Sequence, residues 1–423
     1  MGLPLDSGND SSIRQVSAIR VTKLSLTHFR NYAAQDFQPA DGVTVLAGDN
    51  GQGKTNLLES LFILATGHSH RADTDREVIG WSAAREPIPY SRIAADVTAG
   101  DGRERVLELV MQLAPRGQAG EPTAVAERTI GPSGLRGGTL QKGYKVNGVR
   151  QRSASSVGDL AVVLAGPEEV DLFAGPPADR RRAIDSTALQ TDAEYARELR
   201  RYERLVTQRN AALRDARERG STQRTEDMRL WEQELIRAGA LLLGHRITMI
   251  DVLQKEMLAA HTEFTGRTGH LALEYRSTVD IAGNGGASPD LQQSLADALE
   301  GAWGRDSATA TTSVGPHRDD LRVVSGDVDL GVYGSRGQQR TAALALVIAQ
   351  SAYIGQQLGD EPVILLDDPL SELDADRRER VLRHCLTPGR QVLITTADVE
   401  LIPAEVRSHA AMYTVKNGRI EAA

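Results

Sequence analysis

The sequence predicts an α/β fold in which one nucleotide-binding core is assembled from both ends of the chain around an inserted helical arm. Three observations carry that expectation. Gly48-Asp49-Asn50-Gly51-Gln52-Gly53-Lys54-Thr55 fits G-x-x-x-x-G-K-[ST], the phosphate-binding loop. Near the other end of the 423-residue chain, Val363-Ile364-Leu365-Leu366-Asp367-Asp368 reads as a buried parallel strand closed by two acids. Between them, from Pro176 onward, the texture changes to charge-rich runs with few helix breakers. A compact core needs far less chain than separates Thr55 from Asp367, so the middle reads as an insertion. The expected division is a flexible tail over 1–18, a core from 19–175 and 264–423, and an arm over 176–263.

Composition sets the outer bounds. Charged residues make up 25% and hydrophobic ones 40%, the balance of a globular protein. No run approaches the roughly 18 apolar residues of a membrane helix, and no membrane partner is expected. Cys385 is the sole cysteine, which fits a reducing cytoplasm and a core-packing role. The formal net charge of −8 argues against whole-surface affinity for nucleic acid but leaves room for a local basic face. Residues 1–18 lack a basic start and an apolar stretch, so they do not read as a signal peptide. Asp6 also spoils the myristoylation pattern that Met1-Gly2 begins.

Taken in order, 21–26 is the first strand, and Val43-Thr44-Val45-Leu46-Ala47 is a short β-branched run ending at the first loop glycine. Asn56 to Leu64 then reads as a helix with Leu57, Leu58, Leu61 and Phe62 on one side. Glycines 48, 51 and 53 let backbone N–H groups turn inward, and the helix N-terminus favours the same anion. Lys54 can reach the β/γ-phosphates, and the Thr55 hydroxyl can hold Mg²⁺. Residues 91–97 and 105–112 read as antiparallel strands, 115–138 as a Gly/Pro-rich loop, and 144–149 as a hairpin over Asn147-Gly148.

The arm reads as two long helices, Ala178 to Arg219 and Glu226 to Thr262, paired as a hairpin. Arg180, Arg181, Arg182, Arg197, Arg200, Arg201, Arg204 and Arg209 concentrate positive charge in the first. Two accounts stand. The helix is a solvated face laced with pairs such as Glu194–Arg197 and Glu198–Arg201, or it is a phosphate-contacting arm in which Arg200, Arg201 and Arg204 hold DNA. A competing DNA site is a groove on the nucleotide lobes involving Arg71, Lys145 or Arg318.

Beyond the arm, 270–275 reads as a strand, 291–303 as a helix, and 304–312 as a small polar stretch. In Gly315-Pro316-His317-Arg318-Asp319-Asp320, a single histidine without cysteine is a poor zinc site; a loop scaffold or a DNA contact is expected. Gln339 to Ile354 has the spacing of a buried helix, with Ser335 at its start as a second anion site. Such a site could complete the γ-phosphate pocket of a partner across a two-fold dimer. Asp367 would hold Mg²⁺, and Asp368 would orient or deprotonate the attacking water. Ser371-Glu372-Leu373-Asp374 reads as a capped turn, and 391–396 as a strand with hydroxyls at its end.

Assembled, the sequence resembles the ATP-binding-cassette superfamily and, within it, the RecF recombination-mediator family, from about Val21 to the C-terminus. The carrying motifs are His28-Phe29-Arg30-Asn31-Tyr32, Gly48 to Asn56, Ala65-Thr66-Gly67-His68-Ser69-His70-Arg71 and Leu172-Phe173-Ala174-Gly175-Pro176. They continue with Gln208-Arg209-Asn210, 315–320, Gly337-Gln338-Gln339-Arg340-Thr341 and 366–374. The resemblance implies a cytoplasmic ATPase of DNA replication and recombinational repair, using ATP and Mg²⁺, that dimerises on ATP. It implies binding to gapped DNA or single-strand/duplex junctions, and work with RecR and RecO to load RecA. The nucleotide cradle would be Gly48, Asp49, Asn50, Gly51, Gln52, Gly53, Lys54, Thr55 and Asn56. Asp368, Lys54, Ser335 and Gln338 would be catalytic. Ser335 sits between Gly334 and Arg336 where transporter ATPases read Leu-Ser-Gly-Gly-Gln. The acid after Asp367 is Asp368 rather than Glu, and Thr395-Thr396-Ala397-Asp398 carries no histidine. Those departures predict slow hydrolysis. A transporter subunit and a long-armed chromosome protein remain as alternatives; the charged insertion counts against the first and its modest length against the second.

Overall fold

The computed structural model describes residues 17–72, 74–114, 139–151, 157–167, 172–221, 223–266, 270–281, 290–368, 375–386 and 389–423. The expected tail, the 115–138 loop and the capped turn at 371–374 fall outside this set, wholly or nearly so. Among the described residues no helix is long and apolar enough to cross a membrane.

Two six-stranded sheets frame the nucleotide loop. One is antiparallel, in the order 32–37, 20–29, 90–98, 104–114, 139–146, 149–151. Its last hairpin turns at Asn147 and Gly148, both at positive φ, as the Asn-Gly signal requires. The other sheet runs 419–422, 411–416, 43–47, 392–396, 363–367, 162–165, parallel throughout except for its 419–422 edge. Val43–Ala47, Val363–Asp367 and Val392–Thr396 are buried on both faces, which is why they read as unbroken apolar runs. The two ends of the chain thus meet in one sheet.

Helix Lys54–Thr66 lies between the two sheets. Leu57, Leu58, Leu61, Phe62, Ile63 and Leu64 are all buried, and Glu59 and Ser60 with them, so the helix is buried around its girth rather than on the one side that periodicity suggested.

The middle of the chain forms the helical hairpin, with one change. The first run is not continuous. Asp192 ends helix Pro177–Thr191 and caps Ala193–Glu218, its carboxylate accepting from the Glu194 and Tyr195 N–H groups at 2.7 and 3.1 Å. The long partner Glu226–Thr265 packs along Ala193–Glu218 and also against helix Arg336–Leu358 of the nucleotide half. Helix Leu291–Thr309 and the three-stranded sheet 328–329, 320–325, 271–276 join the hairpin as well. The helix at 291 runs through Gly304 into the stretch expected to be polar loop, because Asp306 is fully buried against the arm. One hydrophobic core runs continuously from the sheets into these helices. Cys385 lies inside it, and burial pushes its thiol up to about 12.

Candidate functional site

The nucleotide loop leaves strand Val43–Ala47 and enters helix Lys54–Thr66 with Gly51 and Gly53 at φ 79° and 116°. Asp49, Asn50 and Gly51 form an exposed crest, whereas Gly53 and Lys54 are buried. A Cβ on Gly53 would come within 2.7 Å of the Asn31 amide and 3.1 Å of the Tyr32 hydroxyl, so the close approach itself demands glycine. The Lys54 ammonium folds back to donate to the carbonyls of Gly48 and of Asp49, the latter at 2.9 Å. Burial holds that ammonium below its ordinary pKa, opposed by the carboxylates of Asp368, Asp367 and Asp49. The acids from the far end of the chain therefore act on the loop lysine directly.

Asp367 closes its strand 5% exposed, its Oδ1 accepting from the Thr395 hydroxyl at 2.5 Å. Asp368 turns into the left-handed region at φ 46°, and its N–H donates to Thr395 Oγ1 at 3.0 Å. Thr395 thus fixes both acids. The donor set fits Mg²⁺, which keeps several waters and takes one or two carboxylates plus substrate phosphates rather than a closed protein cage. No cluster of three or more His, Cys, Asp or Glu that could hold a metal occurs among the described residues. Asp367 and Thr55 are the residues that would hold Mg²⁺.

Ser335 caps helix Arg336–Leu358 in a reciprocal box. Its hydroxyl accepts from Gln338 N–H at 3.3 Å, and Gln338 Oε1 accepts from Ser335 N–H at 2.8 Å. Both residues are exposed, next to Val332 and Tyr333, which are 65% and 78% exposed. Two large apolar side chains thus stand open beside the capped start of this helix.

Sequence reasoning missed the brace behind the loop. Asn31 Nδ2 donates to the Gln52 carbonyl at 2.9 Å and its Oδ1 accepts from Asn56 at 2.8 Å; Asn56 in turn accepts from Arg71. Beneath them Glu59, fully buried, takes Arg30 in a two-point grip at 2.6 and 2.9 Å, Ser69 at 2.6 Å and Arg71 at 3.2 Å. Burial works to raise the Glu59 pKa, and Arg30, Arg71 and Ser69 outweigh it, holding the carboxyl below its ordinary value. From the C-terminal hairpin, the N–H groups of Asn417 and Gly418 donate to Gln52 at 2.7 and 3.0 Å. A signal was available: Glu59 is a lone charge within the apolar run 57–64.

The expected DNA-contacting arginines divide. Arg200 and Arg204 are exposed on Ala193–Glu218. Arg201 does not share an open face with them, because it reaches across the hairpin to Glu234 and back to Glu198 at 3.5 Å. Arg197 pairs with Glu194 and Glu198. Arg209 is wholly buried between Glu232 at 2.9 Å and Asp306 at 2.8 Å, and Arg180 grips Asp320 at 2.7 and 3.0 Å. In the alternative groove, Arg71 is held as above and Lys145 pairs with Glu108, while exposed Arg318 donates to the Thr312 carbonyl. His317 is scaffold. Its Nδ1 meets the Tyr202 hydroxyl at 2.8 Å, and burial pulls it down to about 4.

A phosphate loop, an acid-tipped strand two places away in a mostly parallel sheet, a flanking antiparallel sheet and an inserted helical unit together define an ABC-type nucleotide-binding fold. The family described as RecF/RecN/SMC N terminal domain matches residues 20–421. The chain belongs to that family. It is 37% identical over 404 residues to the DNA replication and repair protein RecF of Chloroflexus aurantiacus, covering 95% of this chain and 99% of that protein. It is 34% identical over 406 residues to the RecF of Herpetosiphon aurantiacus, with the same coverage. A solved structure described as the recombination mediator RecF with ATP in the RecFOR pathway superposes with a TM-score of 0.80 at 24% identity, covering 97% of this chain and 99% of that one. That likeness bears on the fold.

Proposed function

We propose that this chain is an ATP-dependent DNA-binding protein of recombinational and replication-gap repair, in which ATP with Mg²⁺ drives dimerisation and slow hydrolysis reverses it. The observation that carries the reading is the meeting of Lys54 with Asp367 and Asp368, from opposite ends of the chain, at the carboxyl ends of strands in one sheet. In this reading the Gly48–Asn56 backbone cradles the phosphates, and Lys54 exchanges its two carbonyl partners for phosphate oxygens. Thr55 and Asp367 hold Mg²⁺, and Asp368 orients the water. The exposed Ser335–Gln338 cap meets the γ-phosphate of a second copy, with Tyr333 and Val332 covered in the same contact. The inserted helices, including the 271–333 segment packed on them, form the DNA-facing lobe, where Arg200 and Arg204 neutralise phosphates. Gapped or junction DNA is the expected substrate, with RecR, RecO and RecA as pathway partners, in the cytoplasm.

The test is binding of the full chain to gapped, duplex and single-stranded oligonucleotides with and without ATP, beside Ser335→Arg. ATP should sediment the wild type as a dimer and strengthen gapped-DNA binding; Ser335→Arg should bind ATP normally and stay monomeric. DNA binding indifferent to ATP would reject the reading.

A further inference from the structure

The chain makes one kind of tight turn twice. Asn147-Gly148 joins strands Thr139–Val146 and Val149–Gln151, and Asn417-Gly418 joins Ala411–Lys416 and Arg419–Ala422. All four turn residues lie at positive φ, between 48° and 77°, as a two-residue hairpin demands and Asn-Gly supplies. Their surroundings differ. The first turn is exposed, and a Cβ added at Gly148 would meet nothing within 4 Å. Gly418 is buried, and a Cβ there would stand 2.5 Å from the Asn31 carbonyl oxygen. The second turn is pressed against the nucleotide loop.

Its hydrogen bonds converge on one loop residue. The Gln52 carbonyl accepts from Gly418 N–H at 3.0 Å and from Asn31 Nδ2 at 2.9 Å. Gln52 Oε1 accepts from Asn417 N–H at 2.7 Å, so both acceptors of Gln52 are committed to groups outside the cradle. The same hairpin bounds the loop where it begins. Strand Ala411–Lys416 runs parallel to Val43–Ala47, and a Cβ on Gly48 would come 2.4 Å from the Val415 carbonyl oxygen. On the other flank, Gly48 N–H donates to the Thr396 carbonyl at 3.2 Å. The loop is held at Gly48 and again at Gln52, while Asp49, Asn50 and Gly51 between them stay exposed. A glycine-rich loop has much conformational freedom to lose on binding, and fixing it beforehand lowers that cost. Its N–H groups also bind an anion only when several point to one place.

We propose that the Asn417–Gly418 turn is a clamp that positions the phosphate loop, holding Gln52 from outside so that the 48–53 backbone is set for phosphate. The Gln52 side chain serves the clamp and not the nucleotide. The inference rests on the reading that this loop binds ATP, and it names the residues beyond the loop on which that affinity depends. The cradle meets phosphates that ATP and ADP share, so the clamp acts on both alike.

Calorimetric titration of ATP and of ADP, each with Mg²⁺, into the full chain tests it, with circular dichroism to confirm each fold. Gly418→Ala drives the turn off Asn31 and should weaken both nucleotides about tenfold, the loss of one or two loop hydrogen bonds. Gly148→Ala carries the same left-handed strain at the free turn and should change neither. Gln52→Leu keeps the side chain's bulk but cannot accept from Asn417, and should weaken both by a smaller factor. Added to Gly418→Ala, it should cost nothing further, because the clamp is already open. Wild-type affinity in a folded Gly418→Ala, an equal loss in Gly148→Ala, or additive losses for Gly418→Ala and Gln52→Leu would overturn the proposal. A wild type that binds neither nucleotide would remove the nucleotide reading itself, and the clamp with it.

Discussion

The phosphate loop and the first long arm helix both look in the sequence like cations awaiting phosphate, and the structure treats them in opposite ways. Lys54 is buried and hydrogen-bonded to two backbone carbonyls, Gly48 and Asp49, which a phosphate oxygen can replace, while the Asp368, Asp367 and Asp49 carboxylates act on it without a direct hydrogen bond. Most arm arginines are answered by carboxylates. Arg209 has Glu232 and Asp306, and Arg180 has Asp320. From the second helix, Arg246 holds Asp185 at 2.7 and 2.9 Å. Releasing any of these would strand a carboxylate in a poorly solvated place. The lesson is that a count of arginines measures charge present, not charge available.

That contrast can be broken most severely at Arg246, 1% exposed, which ties Asp185, Tyr195, Tyr275 and the Pro316 carbonyl together. Arg246→Ala should cost about 3–5 kcal/mol, because it leaves Asp185 without its cation. Urea unfolding checks it, and a loss near 1 kcal/mol would mean that the arm arginines are not structural.

A smaller effect comes from the histidines buried neutral at the two regions. His317 and His70 both lie near 4 when folded, below the ordinary 6.5. Their contribution is full above pH 6.5 and is lost as pH falls toward 4, because the unfolded chain takes up protons that the native state refuses. Each adds up to about 1.4 kcal/mol per pH unit in that window. His317→Asn should therefore flatten stability against pH between 6.5 and 4; a parallel profile would show that His317 titrates normally.

The smallest effect sharpens the division within the arm. Arg201→Ala should cost under about 1 kcal/mol, as its pairs are partly solvated, and should leave the salt dependence of DNA binding alone. Changing Arg200 and Arg204 to Ala should flatten the log–log salt slope by roughly 0.9 for each phosphate no longer neutralised. If Arg201→Ala flattens the slope as much as the pair does, the ion pairs to Glu198 and Glu234 open on DNA and the division disappears.

Much of this was legible locally. The loop, the acid-tipped strand and the Ser335 cap each lie within one short stretch, where spacing and residue type carry the signal. What escaped were pairings across distance. Asp306 reads as part of a polar loop until Arg209, far away in the chain, draws it inside and keeps the helix going past Gly304. Glu59 looks misplaced among leucines until Arg30 and Arg71 close on it. Asp192 carried a cap signal of its own, masked by the long charged run around it.

The central claim is that Lys54, backed by the brace at Asn31 and Glu59 and faced by Asp367 and Asp368, is the cation on which nucleotide binding rests. Calorimetric titration of ATP and Mg²⁺ into Lys54→Ala, with circular dichroism to confirm the fold, tests it most directly. The account predicts affinity weakened by about a hundredfold or more, equivalent to at least about 2.7 kcal/mol. A folded Lys54→Ala that binds ATP as the wild type does would contradict it.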